Sequence, residues 1–292
     1  MLPKGTFPSK VFLNGEIVDS NAAKISVFDR GFLFGDGIYE VMVQLENGIF
    51  YKNAHLQRMQ DNLKKIGIAH DIAELDSQIP TLLHACQLED SPCLIYLQVT
   101  RGVAARKHAF PSEAKPTAMM YALPYSLPHI NQKNMKVVSM EDKRWHQCDI
   151  KSISLLGNVL ANQSAMVQNT DEAILVRDGF ITEGSHTNIF FVGKEKVYTH
   201  PANHHILDGI TRRVVIDLCQ ELQIPLFEKA IKIDDIPSMD EAFLTGTTTQ
   251  IASVGQIDNH VFYQSNTIGK TTKKLQEAFA KLKELNADTL AL

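Results

Sequence analysis

The sequence has no long run of lysine or arginine, no CxxC pair and a single tryptophan. It also has no apolar stretch approaching the roughly 18 residues that a membrane helix needs. Each absence removes a class of function. Without a basic run, and with 33 acidic residues against 29 basic ones (net charge −4), a general nucleic-acid binder is excluded. Without CxxC spacing, Cys86, Cys93, Cys148 and Cys219 form neither a zinc ribbon nor a disulfide framework, and read as reduced thiols of a cytoplasmic protein. Met1 to Thr6 has no apolar core, so no signal peptide is expected. The phosphate-loop pattern GxxxxGK[ST] and a strand-linked GxGxxG are both missing, which argues against an ordinary nucleotide site. His204-His205 has no companions at ligand spacing in the sequence, so no metal is expected. There is no internal repeat and no low-complexity segment. What remains is ordinary globular composition, 44% hydrophobic and 21% charged, in 292 residues that suffice for two domains.

Val11 to Val18 reads as a hairpin around Asn14-Gly15, because Asn-Gly between short apolar runs is a strong turn signal. The Gly-rich aromatic segment Phe28 to Gly37 leads into Ile38 to Val43. The alternation there predicts a strand with Tyr39, Val41 and Val43 on one face. Leu56, Met59, Leu63 and Ile66 recur at helical spacing, with Gly67 as the stop. A second helix is expected over about 75–87 and a strand over Leu94 to Thr100. Pro124 and Pro128 interrupt the pattern and suggest an interdomain linker, 123–131, between domains 1–122 and 132–292. Beyond it, Met135 to Met140 reads as a strand and Leu155 to Val167 as an amphipathic helix. Strands follow at Ala173 to Val176, Phe180 to Ile181, Asn188 to Val192 and Val197 to Thr199. Thr211 to Leu222 and Lys270 to Leu285 read as helices. The class is α+β, in two domains.

Several residues could carry chemistry. Lys151 lies among short and apolar residues at a strand–helix junction, although a solvated charge is the ordinary role of a lysine. Glu183, beside Gly184-Ser185-His186-Thr187, could hold a ligand or stand in a solvated turn. Gly209-Ile210-Thr211-Arg212 opens a helix, whose N–H groups attract anions or are merely capped. Thr245-Gly246-Thr247-Thr248-Thr249 offers hydroxyls and close backbone approach. The two clusters together suggest a phosphate. Arg106 and His108, two apart in an extended loop, point the same way and could clamp a carboxylate. A lysine, a carboxylate, two phosphate-type loops and a clamp would all serve a phosphorylated aldehyde cofactor bound as a Schiff base.

The stretch Glu183 to Arg212 resembles the signature of the class IV (fold type IV) pyridoxal-phosphate aminotransferases. An acidic residue is followed by Asn188-Ile189-Phe190, then Val197-Tyr198-Thr199, then Leu207-Asp208-Gly209-Ile210-Thr211-Arg212, with the family spacing kept. The likeness runs from Asp29-Arg30-Gly31 to the Thr-rich loop. It implies a two-domain fold with the active site at the domain interface and pyridoxal 5′-phosphate as cofactor. Lys151 resembles the Schiff-base lysine, Glu183 the partner of the pyridinium nitrogen, and Arg58 the phosphate arginine. Ile210, Thr211, Thr247 and Thr248 resemble further phosphate contacts, Leu207 the residue under the ring, and Ser185 and Thr187 other cofactor neighbours.

Arg106-Lys107-His108-Ala109-Phe110-Pro111 is similar to the Arg-x-His loop of the D-amino-acid aminotransferases, with Tyr39 as third member of the carboxylate trap and Val41 beside the substrate. The resemblance therefore implies amino-group transfer between D-amino acids and 2-oxo acids by a homodimer with shared active sites. Two positions depart from the D-specific pattern: His186, where a small hydroxyl residue is frequent, and Gly246, where a serine is. The alternatives are a branched-chain L-aminotransferase, a lyase or amine transaminase of the same class, or a cofactor carrier without turnover. Arg30 or Arg101 could take the clamp's place if Arg106 is only a surface charge.

Overall fold

In the computed structural model, residues 7–129, 134–264 and 267–285 are described. Residues 130 and 131 of the expected linker lie outside them. The chain divides into two compact units. One comprises the N-terminal part through Ser126 with Ile150–Leu155, and the other Leu127–Asp149 with Leu156–Glu284.

The first unit contains strands β1 (Lys10–Leu13), β2 (Glu16–Asp19), β3 (Gly37–Leu45), β4 (Gly48–Ile49), β5 (Cys93–Thr100) and β6 (Thr117–Pro124), with helices α1 (Arg30–Phe34), α2 (Lys52–Lys65) and α3 (Ile72–Cys86). The strands form one antiparallel sheet in the order β2-β1-β6-β5-β3-β4. The β1–β2 turn carries Asn14 and Gly15 at positive φ (51° and 96°), the conformation that this dipeptide favours. Apolar residues of α2 and α3 (Met59, Leu63, Leu75, Ile79, Leu82) pack on Ile38, Met42, Ile95 and Leu97 of the sheet. Each is fully buried, so truncating one to alanine costs roughly 2–5 kcal/mol.

The second unit contains β7 (Met135–Glu141), α4 (Leu156–Val167), β8 (Glu172–Arg177), β9 (Phe180–Gly184), β10 (Asn188–Gly193), β11 (Lys196–Thr199), α5 (Ile210–Glu221), β12 (Leu226–Glu228), β13 (Glu241–Gly246), β14 (Gln250–Ile257), β15 (His260–Val261) and α6 (Lys270–Glu284). Its sheet is mixed, in the order β12-β11-β10-β13-β14-β7-β8-β9, with β15 on β14. Val137, Ile174, Ile189, Phe191, Leu244 and Val254 fill its core.

The structure corrects the sequence reading in two places. β6 and β14 are strands that periodicity does not reveal, because alanine, methionine, serine and glycine dilute their β-branched content; pairing with β1, β5, β7 and β13 supplies what propensity lacks. The segment Ile150–Leu155 belongs to the first unit although 132–292 would assign it to the second. The reason is backbone pairing: the Tyr39 N–H donates to Lys151 O (3.1 Å) and the Ile153 N–H to Gly37 O (3.1 Å). Helix α4 has the expected apolar stripe, Leu156, Val159, Leu160, Met166 and Val167, but within one chain that stripe is exposed and only Ala165 is buried. Among the described residues no helix is long and apolar enough to cross a membrane.

Candidate active site

In the first unit, strand alternation directs Glu40 to the buried face of β3 and leaves Tyr39 and Val41 half-buried on the other. Helix α2 meets that buried face with His55, Arg58 and Asn62, whose spacing of three and four puts them on one stripe. Arg58 grips Glu40 with two parallel bonds, Nε to Oε1 (2.7 Å) and Nη2 to Oε2 (2.9 Å). His55 Nδ1 lies 2.8 Å from Oε2. Burial alone would raise the Glu40 carboxyl, but Arg58 and His55 outweigh it and hold the group well below the usual carboxylate range.

Asn62 turns the same helix face into a mount for Lys151. Its Oδ1 accepts the Lys151 N–H (2.9 Å), while the lysine carbonyl accepts from Tyr39. The Lys151 backbone is thus pinned at both polar groups, and its Nζ sits 4.1 Å from the centre of the Tyr39 ring. The lysine is half-buried, as its junction position leads one to expect.

The loop after β5 is organised by acids upstream. Asp29 caps α1 through the Gly31 N–H (2.8 Å) and accepts from Thr100 (2.8 Å) and Thr117 (2.6 Å). Arg30 and Arg101, both buried, converge on Asp36 at 2.7 and 2.8 Å. Arg30 also donates to the carbonyl of Lys107 (2.6 Å), which fixes the Arg-x-His segment from behind. Arg106 and His108 are exposed and lie against the Phe34 ring, at 5.1 and 5.6 Å from its centre. Arg106 has no acidic partner among the described residues. No hydrogen bond, ion pair or ring contact joins Arg106 or His108 to Tyr39 or Lys151 within one chain, again among the described residues. Arg30 and Arg101 are therefore committed to structure, which removes them as rivals for a carboxylate.

In the second unit Glu183 is no solvated turn. It lies on β9, buried, and its carboxylate accepts from Arg144 Nη1 (2.6 Å), Asn188 Nδ2 (3.0 Å) and the Leu207 N–H (3.0 Å). Burial pushes its carboxyl up to about 7, against the pull of Arg144 and the Leu207 N–H. Arg144 is itself shared with Asp142, at 3.0 and 2.9 Å, and Asp142 also pairs with Arg177 and accepts from Thr182.

The Ser185 and Thr187 hydroxyls turn away from Glu183 toward the buried Glu172, at 2.5 and 3.0 Å. His186, mostly exposed, reaches the same carboxylate at 3.0 Å. Asn158 and Asn162 of α4 hold Ser185 by its carbonyl and hydroxyl.

Helix α5 starts at Ile210 behind Gly209, with no side-chain cap. Its first N–H groups are thus left to point out of the helix end, with the positive end of the dipole and the Thr211 hydroxyl beside them. Asn188 approaches so closely that a Cβ on Gly209 would lie 2.3 Å from its Oδ1. Arg212 and Arg213 turn back to Asp208 (both 2.9 Å) and do not reach forward from the helix end. Asn188 pairs in register with Thr245, so β10 sets the start of the Thr245–Thr249 turn beside its own first residue.

The residues named from sequence thus fall into two sets. Lys151, Tyr39, Val41, Arg58, Arg106 and His108 belong to the first unit. Glu183, Ser185, Thr187, Leu207, Ile210, Thr211, Thr247 and Thr248 belong to the second. Sequence reasoning missed Glu40, His55, Asn62, Asp142, Arg144 and Glu172. Glu40 carried a usable signal, a carboxylate at an inward position of a strand, which demands a cationic partner. Arg144 carried none, since its partner lies 39 residues away.

The sequence pattern of the family described as amino-transferase class IV matches residues 37–257. A D-alanine aminotransferase from Staphylococcus haemolyticus is 37% identical over 277 residues, covering 94% of this chain and 97% of that protein. One from Bacillus licheniformis is 38% identical over 273 residues, covering 92% and 95%. Among solved structures, the branched-chain aminotransferase of Thermoproteus uzoniensis superposes with a TM-score of 0.86 at 26% identity, covering 95% and 96% of the two chains. The branched-chain enzyme of Escherichia coli gives 0.85 at 23% identity, covering 94% of each, a likeness of fold.

Proposed function

As the chain belongs to the class IV aminotransferases, we propose that it moves the amino group of D-amino acids, such as D-alanine or D-glutamate, onto 2-oxo acids such as 2-oxoglutarate or pyruvate. The observation that carries the D-specific reading is the state of three arginines. Arg30 and Arg101 are locked on Asp36, while Arg106 stands exposed beside His108 without an acidic partner among the described residues. A guanidinium so placed offers a charge-assisted pair to a substrate carboxylate. The relatives named D-alanine aminotransferase support the same direction.

Pyridoxal 5′-phosphate is the cofactor of this family, and the donor set fits it. There is a pinned amine at Lys151 and a buried acceptor at Glu183. There is also an uncapped helix start at Ile210 and Thr211. When bound, the cofactor supplies an aldehyde that captures amines and a ring that withdraws electrons from the substrate Cα. The protein's part is then as follows. Ile210, Thr211, Thr247, Thr248 and Arg58 hold the phosphate. Leu207 would support the ring, and Ser185 and Thr187, whose hydroxyls hold Glu172, would line the site beside it. Glu183 keeps a proton on the ring nitrogen, since a carboxylate beside that nitrogen stabilises its charged form. Lys151 Nζ would serve as the base that moves the proton released from the substrate Cα. Tyr39, Arg106 and His108 orient the carboxylate and Val41 borders the side chain, so that one enantiomer presents its Cα–H to the lysine.

The reading includes a homodimer, in which the Arg106–His108 loop serves the partner's Lys151. The five exposed apolar residues of α4, with Phe28, Phe32 and Phe110, are the kind of surface that a second copy covers. A cytoplasmic location accords with four free cysteines.

The test is direct. D-Alanine should change the absorbance of the bound cofactor and L-leucine should not; the reverse result would make the enzyme a branched-chain L-aminotransferase. Arg106→Ala should lower kcat/KM for D-alanine about 10- to 100-fold, the worth of a charged hydrogen bond at roughly 1.5–3 kcal/mol. Cofactor affinity should hold. Mixed Lys151→Ala and Arg106→Ala protomers should recover activity by forming one intact site.

A further inference from the structure

The fold gives His204-His205 the companion that the sequence lacks. His146, 58 residues earlier, comes to the same place, and one ring nitrogen from each of the three imidazoles lies within 4.8 Å of the others. The rings are close-set: His204 and His205 have centroids 4.1 Å apart at 66°, and His146 lies 5.7 Å from His205 and 6.4 Å from His204.

Both segments are held by their backbones. The Cys148 N–H donates to His204 O (2.8 Å), and the His205 N–H donates to Asn203 Oδ1 (2.9 Å). Only the side chains need move to converge. Three nitrogens around one tetrahedral ion at about 2.0–2.1 Å stand roughly 3.3 Å from one another. His146 and His204 are exposed, so rotation of their rings can close the difference without disturbing the core.

We propose that His146, His204 and His205 form a binding site for a borderline divalent transition metal such as Zn2+, Ni2+ or Cu2+. Three neutral imidazoles without a carboxylate suit that class and not Mg2+ or Ca2+, which require oxygen. Two cations stand close by, and both are engaged: Arg144 donates to the His205 carbonyl (3.3 Å) and pairs with Asp142 and Glu183, while Arg177 pairs with Asp142 at 3.1 Å and donates to the carbonyls of Arg144 and Trp145. The free thiol of Cys148 is turned inward onto Trp145 O and takes no part. Solvent occupies the remaining coordination positions.

The ion would tie the segment 142–149 to the turn 203–207. Those two segments supply Arg144 and the Leu207 N–H, both ligands of Glu183. Metal binding therefore stiffens the Glu183 cradle from outside. The binding itself does not rest on the activity proposed above.

Tag-free protein with its cofactor bound, stripped with a chelator, is titrated with Zn2+ in a calorimeter and with Co2+ by visible absorption. One saturable ion per chain is expected, with the intense visible band of low-coordinate Co2+ and a raised thermal midpoint. His146→Asn and, separately, His204→Asn should each weaken binding by at least the roughly 10- to 100-fold that loss of an outer-shell partner already costs. Both substitutions are at the surface, and an unchanged melting curve in chelator checks their folding. No saturable binding would overturn the proposal. So would binding unchanged in both variants, which would put the metal elsewhere, for example on the exposed His84–Glu89 pair.

Discussion

Each unit has a buried glutamate among its candidate site residues, Glu40 in the first and Glu183 in the second, and the two are driven in opposite directions. Glu40 and Glu183 are both all but inaccessible, so both pay the same kind of desolvation penalty. Glu40 has Arg58 in a bidentate grip and His55 behind it, and is held well below the usual carboxylate range. Glu183 has one cation, Arg144, which is shared with Asp142, and its carboxyl rises to about 7. The bidentate grip makes the first an anchor that stays ionised and holds Arg58 in place. Divided charge leaves the second responsive, as a group facing a titrating ring nitrogen should be.

The largest effect is expected at the anchor. Glu40→Gln leaves Arg58 buried without its counter-charge, and such half-broken pairs cost roughly 3–5 kcal/mol. Urea unfolding of the two forms measures it; a loss below 1 kcal/mol would mean that Arg58 finds another partner at no cost.

Next comes Arg144→Met, which keeps the volume and removes the shared cation. Asp142 retains Arg177 and Thr182, so the fold should survive. A charged hydrogen bond at roughly 1.5–3 kcal/mol is lost, giving about a 10- to 100-fold fall in kcat/KM. A structural defect alone would not move the pH profile. Loss of Arg144 should displace the acid limb toward higher pH, because the carboxylate of Glu183 is then less favoured. An unshifted profile would deny Arg144 its positioning role.

The most gradual effect is the pH dependence of the cofactor-free protein, which is spread over the interval between the two titration points of Glu183. With Glu183 raised from 4.5 to about 7, the folded state binds a proton that the unfolded chain has released. Its contribution to stability is full below 4.5 and is lost as pH rises through about 7, with a slope of at most about 1.4 kcal/mol per pH unit. Glu183→Gln should flatten that part of the profile. Glu40→Gln should not, since Glu40 titrates far below this range.

Much of the fold was readable along the chain because short-range chemistry decides it. Asn14-Gly15 selects its turn by backbone conformation, and Ile38 to Val43 declares a strand by alternation. Leu56, Met59 and Leu63 declare helix α2 by period, and the spacing from Glu183 to Arg212 encodes two paired strands and a helix start. Strands β6 and β14 were not readable, since their neighbours and not their own residues make them strands. The candidate site divides in the same way. Lys151 and Glu183 can be named from a motif, but their states cannot. The lysine is aimed by Asn62, 89 residues away, and the glutamate is tuned by Arg144, 39 residues away. Arg58 could be named as an arginine of the site, while its bond to Glu40 required β3 and α2 to pack. Turns, caps and periodicity depend on energies between near neighbours in sequence and are therefore written there. Burial, sharing of a charge between two acids, and the meeting of His146 with His204 and His205 depend on which distant residues exclude water together, and only the tertiary structure decides that.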